Sequence, residues 1–208
     1  TDEAELAGLP ESALAQAQQM AQAKGQEGWL FTLDLPSYLP VMNYADNQAL
    51  REEMYTAYAT RASELSDEGK FDNAPLIQEI LSLRHEMAQI LGFDNYAELS
   101  VATKMAESGD QVIGFLNDLA VKSKPAAEQD LADLKAFAKA EYGVETLNSW
   151  DIGYYAEKLR EQKYAISQEV LRPYFPINKV LSGLFHTAQT LFGVDIREER
   201  DFDSYHQD

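Results

Sequence analysis

His85 and Glu86 are followed three residues later by Gln89. This is close to the H-E-x-x-H pattern, in which imidazoles at i and i+4 leave one helix face toward a single zinc ion and the Glu acts as base. The second imidazole is replaced by a carboxamide, which is a poor zinc ligand. The chain has two other histidines and no cysteine to make up a set. His186 falls opposite the apolar stripe of its own helix (Val180, Leu181, Leu184, Ala188, Leu191), and His206 lies in a charged tail. The residues therefore assign no metal ligand, and His85 reads as a flank residue of a core helix. With no cysteine, thiolate zinc sites, disulfides and cysteine nucleophiles are all excluded.

Other reactive patterns are equally sparse. There is no G-x-S-x-G, no phosphate-binding loop and no G-x-G-x-x-G. Asp2-Glu3, Glu52-Glu53 and Glu198-Glu199 read as solvated helix ends or faces rather than catalytic carboxylate pairs, so no catalytic residue is assigned. Arg84 stands out because a helical wheel places it inside a Leu/Ile/Met stripe, where a guanidinium is costly unless paired. Either it snorkels past the edge of the stripe or it meets a carboxylate from another helix, and a structural ion pair is favoured over a substrate-binding arginine. Trp150-Asp151-Ile152-Gly153-Tyr154-Tyr155 is the densest aromatic and acidic cluster. Asp151 near a helix start suits the helix dipole. Tyr154 and Tyr155 point in adjacent directions, so one is expected to pack inward while the other offers its hydroxyl to solvent or ligand.

The elements that must position these residues are helices. The 208 residues carry 17 basic and 35 acidic side chains, a net charge of −18, with 45% hydrophobic and 11% aromatic residues. That aromatic load belongs to a folding chain, and its length to one domain or two small ones. Basic residues are interspersed among acids, which argues against nucleic acid and anionic membrane as partners. No apolar run reaches the ~18–20 residues of a membrane span.

Pro10 to Lys24 reads as an Ala-rich helix stopped by Gly25, and Pro36 opens a short one. Asp46 is read as the cap of a helix reaching Ser63. Asn73 and Pro75 open the clearest helix, ended by Gly92. Asp94 caps the next turn. Asp110 to Tyr142 is helical almost throughout, about 33 residues or roughly 50 Å, with a kink or break expected at Pro125. Asn148 or Ser149 starts another helix, Ser167 a short one, and Pro176 to Phe192 the last. Trp29 to Leu33 is the one short strand, isolated because no hairpin partner lies nearby. The fold class is all-α: a multi-helix array of about nine helices with that single strand.

Several separated motifs carry a family resemblance. Trp150-Asp151-x-x-Tyr154-Tyr155, Leu171-Arg172-Pro173-Tyr174-Phe175-Pro176, Asp34 to Met42, Leu91 to Ala97 and Tyr205-His206-Gln207-Asp208 together resemble the thimet oligopeptidase family of zinc metallopeptidases. The resemblance implies a mostly helical cytoplasmic or organellar enzyme that cuts short peptides in a channel between two lobes. Its zinc is held by an H-E-x-x-H helix and a downstream Glu, with a His and a Tyr further on for the oxyanion. None of these aligns with a residue of this chain. The implied role is a non-catalytic channel-wall fragment of a larger peptidase, with zinc bound by the parent and none by this piece. Tyr154 and Tyr155 are its candidates for lining the channel. Residues 1–162 are expected to belong to one lobe and 163–208 to cross toward the missing zinc lobe. The expected partners are short peptides and that remaining lobe, with self-association through faces left exposed by truncation. The residues leave a second reading open: an independent all-α protein-binding module without peptidase activity.

Overall fold

A computed structural model describes residues 3–165 and 168–199. The described chain is helical, with eight α-helices of six residues or more, a single α-turn and three short 3-10 turns. The chain divides into two compact units, Thr1–Leu159 and Arg160–Asp208, the division falling within the helix Ile152–Tyr164.

The first unit opens with a 3-10 turn, Glu3–Leu6, and then α1 (Glu11–Ala23), α2 (Leu35–Tyr44) and α3 (Gln48–Ala59). Leu6, Leu9, Tyr38, Val41, Met42 and Met54 form its main core. The Ala face of α1 does what its small side chains permit: Ala17 and Ala21 are buried, and the backbone of the following segment comes close enough for Leu30 N–H to donate to Ala17 O at 3.0 Å. This contact explains the main departure from expectation. Residues 29–32 carry no regular secondary structure and the chain bends at Leu33; Trp29, Phe31 and Leu33 pack on the core as alternation requires, but no strand forms among the described residues. The backbone donors go elsewhere, Leu30 to α1 and Thr32 N–H to Ser37 Oγ at 2.9 Å, so the segment has no ladder to join.

Further along lie α4 (Ala74–Ile90), α5 (Tyr96–Val101) and α6 (Gly109–Tyr142). The expected break at Pro125 is absent, and α6 runs as one helix of 34 residues. Pro125 removes one backbone donor, leaving the carbonyl four residues earlier without its helical partner. That carbonyl belongs to the well-exposed Val121, where water can satisfy it. α6 ends as Gly143 turns left-handed (φ 69°), with Gly143 and Val144 N–H returning to Lys139 and Ala138 carbonyls. Two caps fall one residue later than expected. Asn47 Oδ1 accepts from Ala49 and Leu50 at the start of α3, and Asn95 Oδ1 from Glu98 at the start of α5. α7 (Ile152–Tyr164) begins later than Asn148 or Ser149 because a turn closes first, Asp151 N–H reaching Asn148 O at 3.0 Å. Leu134 and Ala138 of α6 form a second core with Tyr154 and Tyr155 of α7.

The second unit contains the end of α7, the one-turn α8 (Gln168–Leu171), a 3-10 turn at Arg172–Tyr174 and α9 (Ile177–Phe192). Residue 167, the expected start of the short helix, and the 205–208 motif with His206 lie outside the described residues. No helix of the described chain is long and apolar enough to cross a membrane.

Candidate functional site

The most concentrated polar chemistry lies where the α2–α3 corner meets the start of α7. Arg51 enters from the first turn of α3, and Asp151 immediately precedes α7. Their side chains are 2% and 0% exposed, and Arg51 Nη2 donates to Asp151 Oδ1 at 2.8 Å. The guanidinium also donates through Nη1 to Ala45 O (2.6 Å) and Asp46 O (3.3 Å), and through Nε to Trp150 O (3.2 Å). Asp151 accepts in addition from Gln48 Nε2 at 3.1 and 3.2 Å and from Asn148 N–H at 3.0 Å. The cation thus sits on carbonyls at the end of α2 and the anion at the entrance to α7, each at the helix end that favours its sign.

Tyr154 completes the arrangement. Its ring lies under the guanidinium, 4.2 Å from Cζ to centroid, and its hydroxyl donates to Asp46 Oδ1 at 2.7 Å. Burial pushes the hydroxyl pKa well above the usual tyrosine value, the bond to Asp46 and its charge add to the rise, and the Arg51 charge opposes it. Tyr155 is raised as well, first by burial, with Arg51 again opposing. Both rings are buried, at 7% and 8% exposed, and they meet edge to face at 5.0 Å. Tyr154 is thus the member of the pair that packs inward, its hydroxyl bound to Asp46. α7 is flanked on both sides, so Tyr154 turns to the α2–α3 corner while Tyr155 packs with Leu134, Ala138 and Tyr142.

Chemically this cluster ties the three helices together. The carboxylate accepts from three separate residues, the guanidinium is spread over four acceptors, and neither buried phenol is disposed to ionise near neutral pH. Arg51 was not among the sequence candidates, though the clue that singled out Arg84 applies to it. It shares a face with Met54 and Tyr58, at helical spacing.

The remaining candidates are dispersed. Arg84 is exposed, and its guanidinium lies 4.9 Å from the centroid of the Tyr96 ring. No carboxylate among the described residues pairs with it. His85 is exposed on α4, and Gln89, in the place of a second imidazole, donates to Phe93 O and Asp94 O beyond the helix end. His186 is exposed on α9, and no group of three His, Cys, Asp or Glu that could hold a metal comes together among the described residues. The residues present therefore do not fit a zinc site there. A cleft of about 560 Å³ lies between α5 and the start of α6. Within it Glu98 Oε1 accepts from Gly109 N–H at 2.9 Å and Lys104 Nζ donates to Ser100 Oγ at 2.7 Å.

The described residues form an all-helical arrangement tied by buried polar contacts, and comparison with known sequences gives the class of protein to which it belongs. The chain belongs to peptidase family M3, whose model matches residues 41–208. It is 60% identical to oligopeptidase A of Salmonella typhimurium over 99% of this chain and 30% of that protein. It is 59% identical to oligopeptidase A of Escherichia coli over 100% of the chain and 31% of that protein, and 55% identical to the Haemophilus influenzae protein of the same name over 100% and 30%. The chain spans less than a third of the length of these relatives.

Proposed function

We propose that this chain is a scaffold portion of a zinc-dependent cytoplasmic oligopeptidase that hydrolyses short peptides, and that by itself it has no peptidase activity. The observation that carries the reading is the end-to-end match, at 55–60% identity, to proteins named oligopeptidase A that are about three times as long. The lack of an H-E-x-x-H pattern anywhere in the 208 residues supports the second half of the reading. In the complete protein, zinc supplies an activated water and polarises the scissile carbonyl. What this chain's own residues contribute is rigidity: the Arg51–Asp151 tie and the Tyr154–Asp46 bond hold α2, α3 and α7 together.

The test is an assay on internally quenched short peptides. The 208-residue chain is compared with the complete protein translated from its reading frame, each with added zinc and with chelator. Chelator-sensitive cleavage is expected from the complete protein alone. Cleavage by the isolated chain that survives repurification and disappears with chelator would refute the scaffold reading. A complete protein that is folded, zinc-loaded and inert on every short peptide would refute the oligopeptidase reading.

A further inference from the structure

Within the first unit, α4 carries an apolar half that the described residues leave open. At 100° per residue, Leu76, Ile77, Ile80, Leu81, Leu83 and Met87 fall on one side of the helix, opposite Glu79, Ser82, His85, Glu86 and Gln89. All six apolar residues are exposed, Ile80 at 47%, and Ala88 is the one buried residue of the helix. Arg84 stands in the middle of this half, over Tyr96 and without a carboxylate among the described residues. A contiguous apolar face of this kind marks an interaction surface. A guanidinium within it cannot shed its charge, so anything that covers the face must also supply an acceptor.

Two other stripes are exposed, Ile113, Leu116 and Leu119 on α6 and Val180, Leu184 and Leu191 on α9. The relatives, meanwhile, extend over more than three times the length of this chain. We propose that the α4 face seats an apolar helix of the complete protein lying outside these 208 residues, and that this helix brings a carboxylate to Arg84. The inference rests on reading the chain as part of a larger M3 protein.

The chain has no cysteine, so single thiols can report the surface. Ile80→Cys marks the apolar half of α4 and Ser82→Cys the polar half. Each is treated with a maleimide in the 208-residue chain and in the complete protein, and labelling at that site is read by mass spectrometry. In the isolated monomeric chain both thiols label at similar rates. In the complete protein, the thiol at position 80 slows by about tenfold or more relative to that at 82, because reaction there requires the interface to open. Adding Arg84→Glu restores labelling at position 80 in the complete protein, whereas Arg84→Lys preserves protection. Equal labelling in the complete protein overturns the inference. So does protection already present in the isolated monomer, which assigns the face to the chain's own second unit. Protection that rises with concentration alongside a dimeric mass assigns it to a second copy and overturns it as well. Protection indifferent to Arg84→Glu refutes the carboxylate. Peptide cleavage by the complete protein is read separately, so an active protein with a reactive thiol at 80 refutes the docking surface and leaves the oligopeptidase reading standing.

Discussion

Removing the Asp151 carboxylate should be among the most damaging single changes available in this chain. In Asp151→Ala the Arg51 guanidinium keeps Ala45 O, Asp46 O and Trp150 O but loses its counter-charge at a site where it is 2% exposed. Breaking a buried pair from one side costs about 3–5 kcal/mol. The retained carbonyl contacts argue for the lower half of that range. The same substitution strands the part-buried Asn148 N–H, at about 1 kcal/mol where water does not replace the bond, whereas the exposed Gln48 can turn its amide to water. Together these give a loss of about 3–5 kcal/mol, a large share of the ~5–15 kcal/mol typical of a folded domain. Asp151→Asn, which keeps shape and one acceptor, should cost about half as much. Urea unfolding followed by tryptophan fluorescence is a direct assay, because Trp150 adjoins the pair and Trp29 is the only other tryptophan. The decisive comparison is the double variant Arg51→Met/Asp151→Ala. With no unpaired charge left behind, it should be more stable than Asp151→Ala by about 1–2 kcal/mol, despite carrying one more substitution. A double variant whose loss equals the sum of the two single losses would refute the reasoning that charge burial sets the cost.

Tyr154 makes a prediction about alkaline pH. Its folded-state pKa is raised, by burial first and then by Asp46, so the folded chain holds this proton more tightly than the unfolded chain. The associated stability is complete below the unfolded value of about 10 and is lost as pH rises from there toward the folded value. Tyr154→Phe should cost about 1.5–3 kcal/mol near pH 8 by removing the bond to Asp46. It should also flatten the decline above pH 10, and an unchanged alkaline slope in a pH series of urea melts would contradict this. Gly114 and Gly153 form a matched pair of tests. A Cβ at Gly114 meets nothing, so Gly114→Ala should stabilise by about 1 kcal/mol, whereas a Cβ at Gly153 stands 3.0 Å from Asn43 Oδ1 and 3.5 Å from Met42 O, so Gly153→Ala should yield no such gain. Equal shifts in midpoint for the two would show that the approach of α7 to α2 is looser than the structure has it.

Much of the helical layout is legible from local punctuation. Pro10 with Gly25, Pro75 with Gly92, Gly143, and Pro176 with Gly193 all bracket helices because proline tolerates a helix entrance and glycine a left-handed exit. Caps are legible only to within a residue. At 46–47 and 94–95 two residues able to cap stand side by side, and tertiary demand separates the first pair: Asp46 is engaged by Tyr154, and Asn47 caps. The 29–33 segment shows the limit of alternation as a signal. It correctly marks which side chains face the core, yet a ladder needs a second strand, and here α1 and Ser37 take the backbone donors first.

Arg51 and Arg84 draw the line between the two sources of information. Each is an arginine set among apolar residues on a helix, and by sequence each calls for a partner. That requirement is local, since it follows from the charge and the helical period alone. Which carboxylate answers it is not local: Asp151 lies 100 residues from Arg51 and meets it only because α7 returns to the α2–α3 corner. The sequence alone determined an acidic, helical, cysteine-free chain with no complete zinc motif, because composition, period and spacing are properties of the string. Only the tertiary structure decided that Tyr154 and Tyr155 are both buried, that Arg51 is the paired arginine and that the α4 face stands open, because burial depends on where distant helices come to rest.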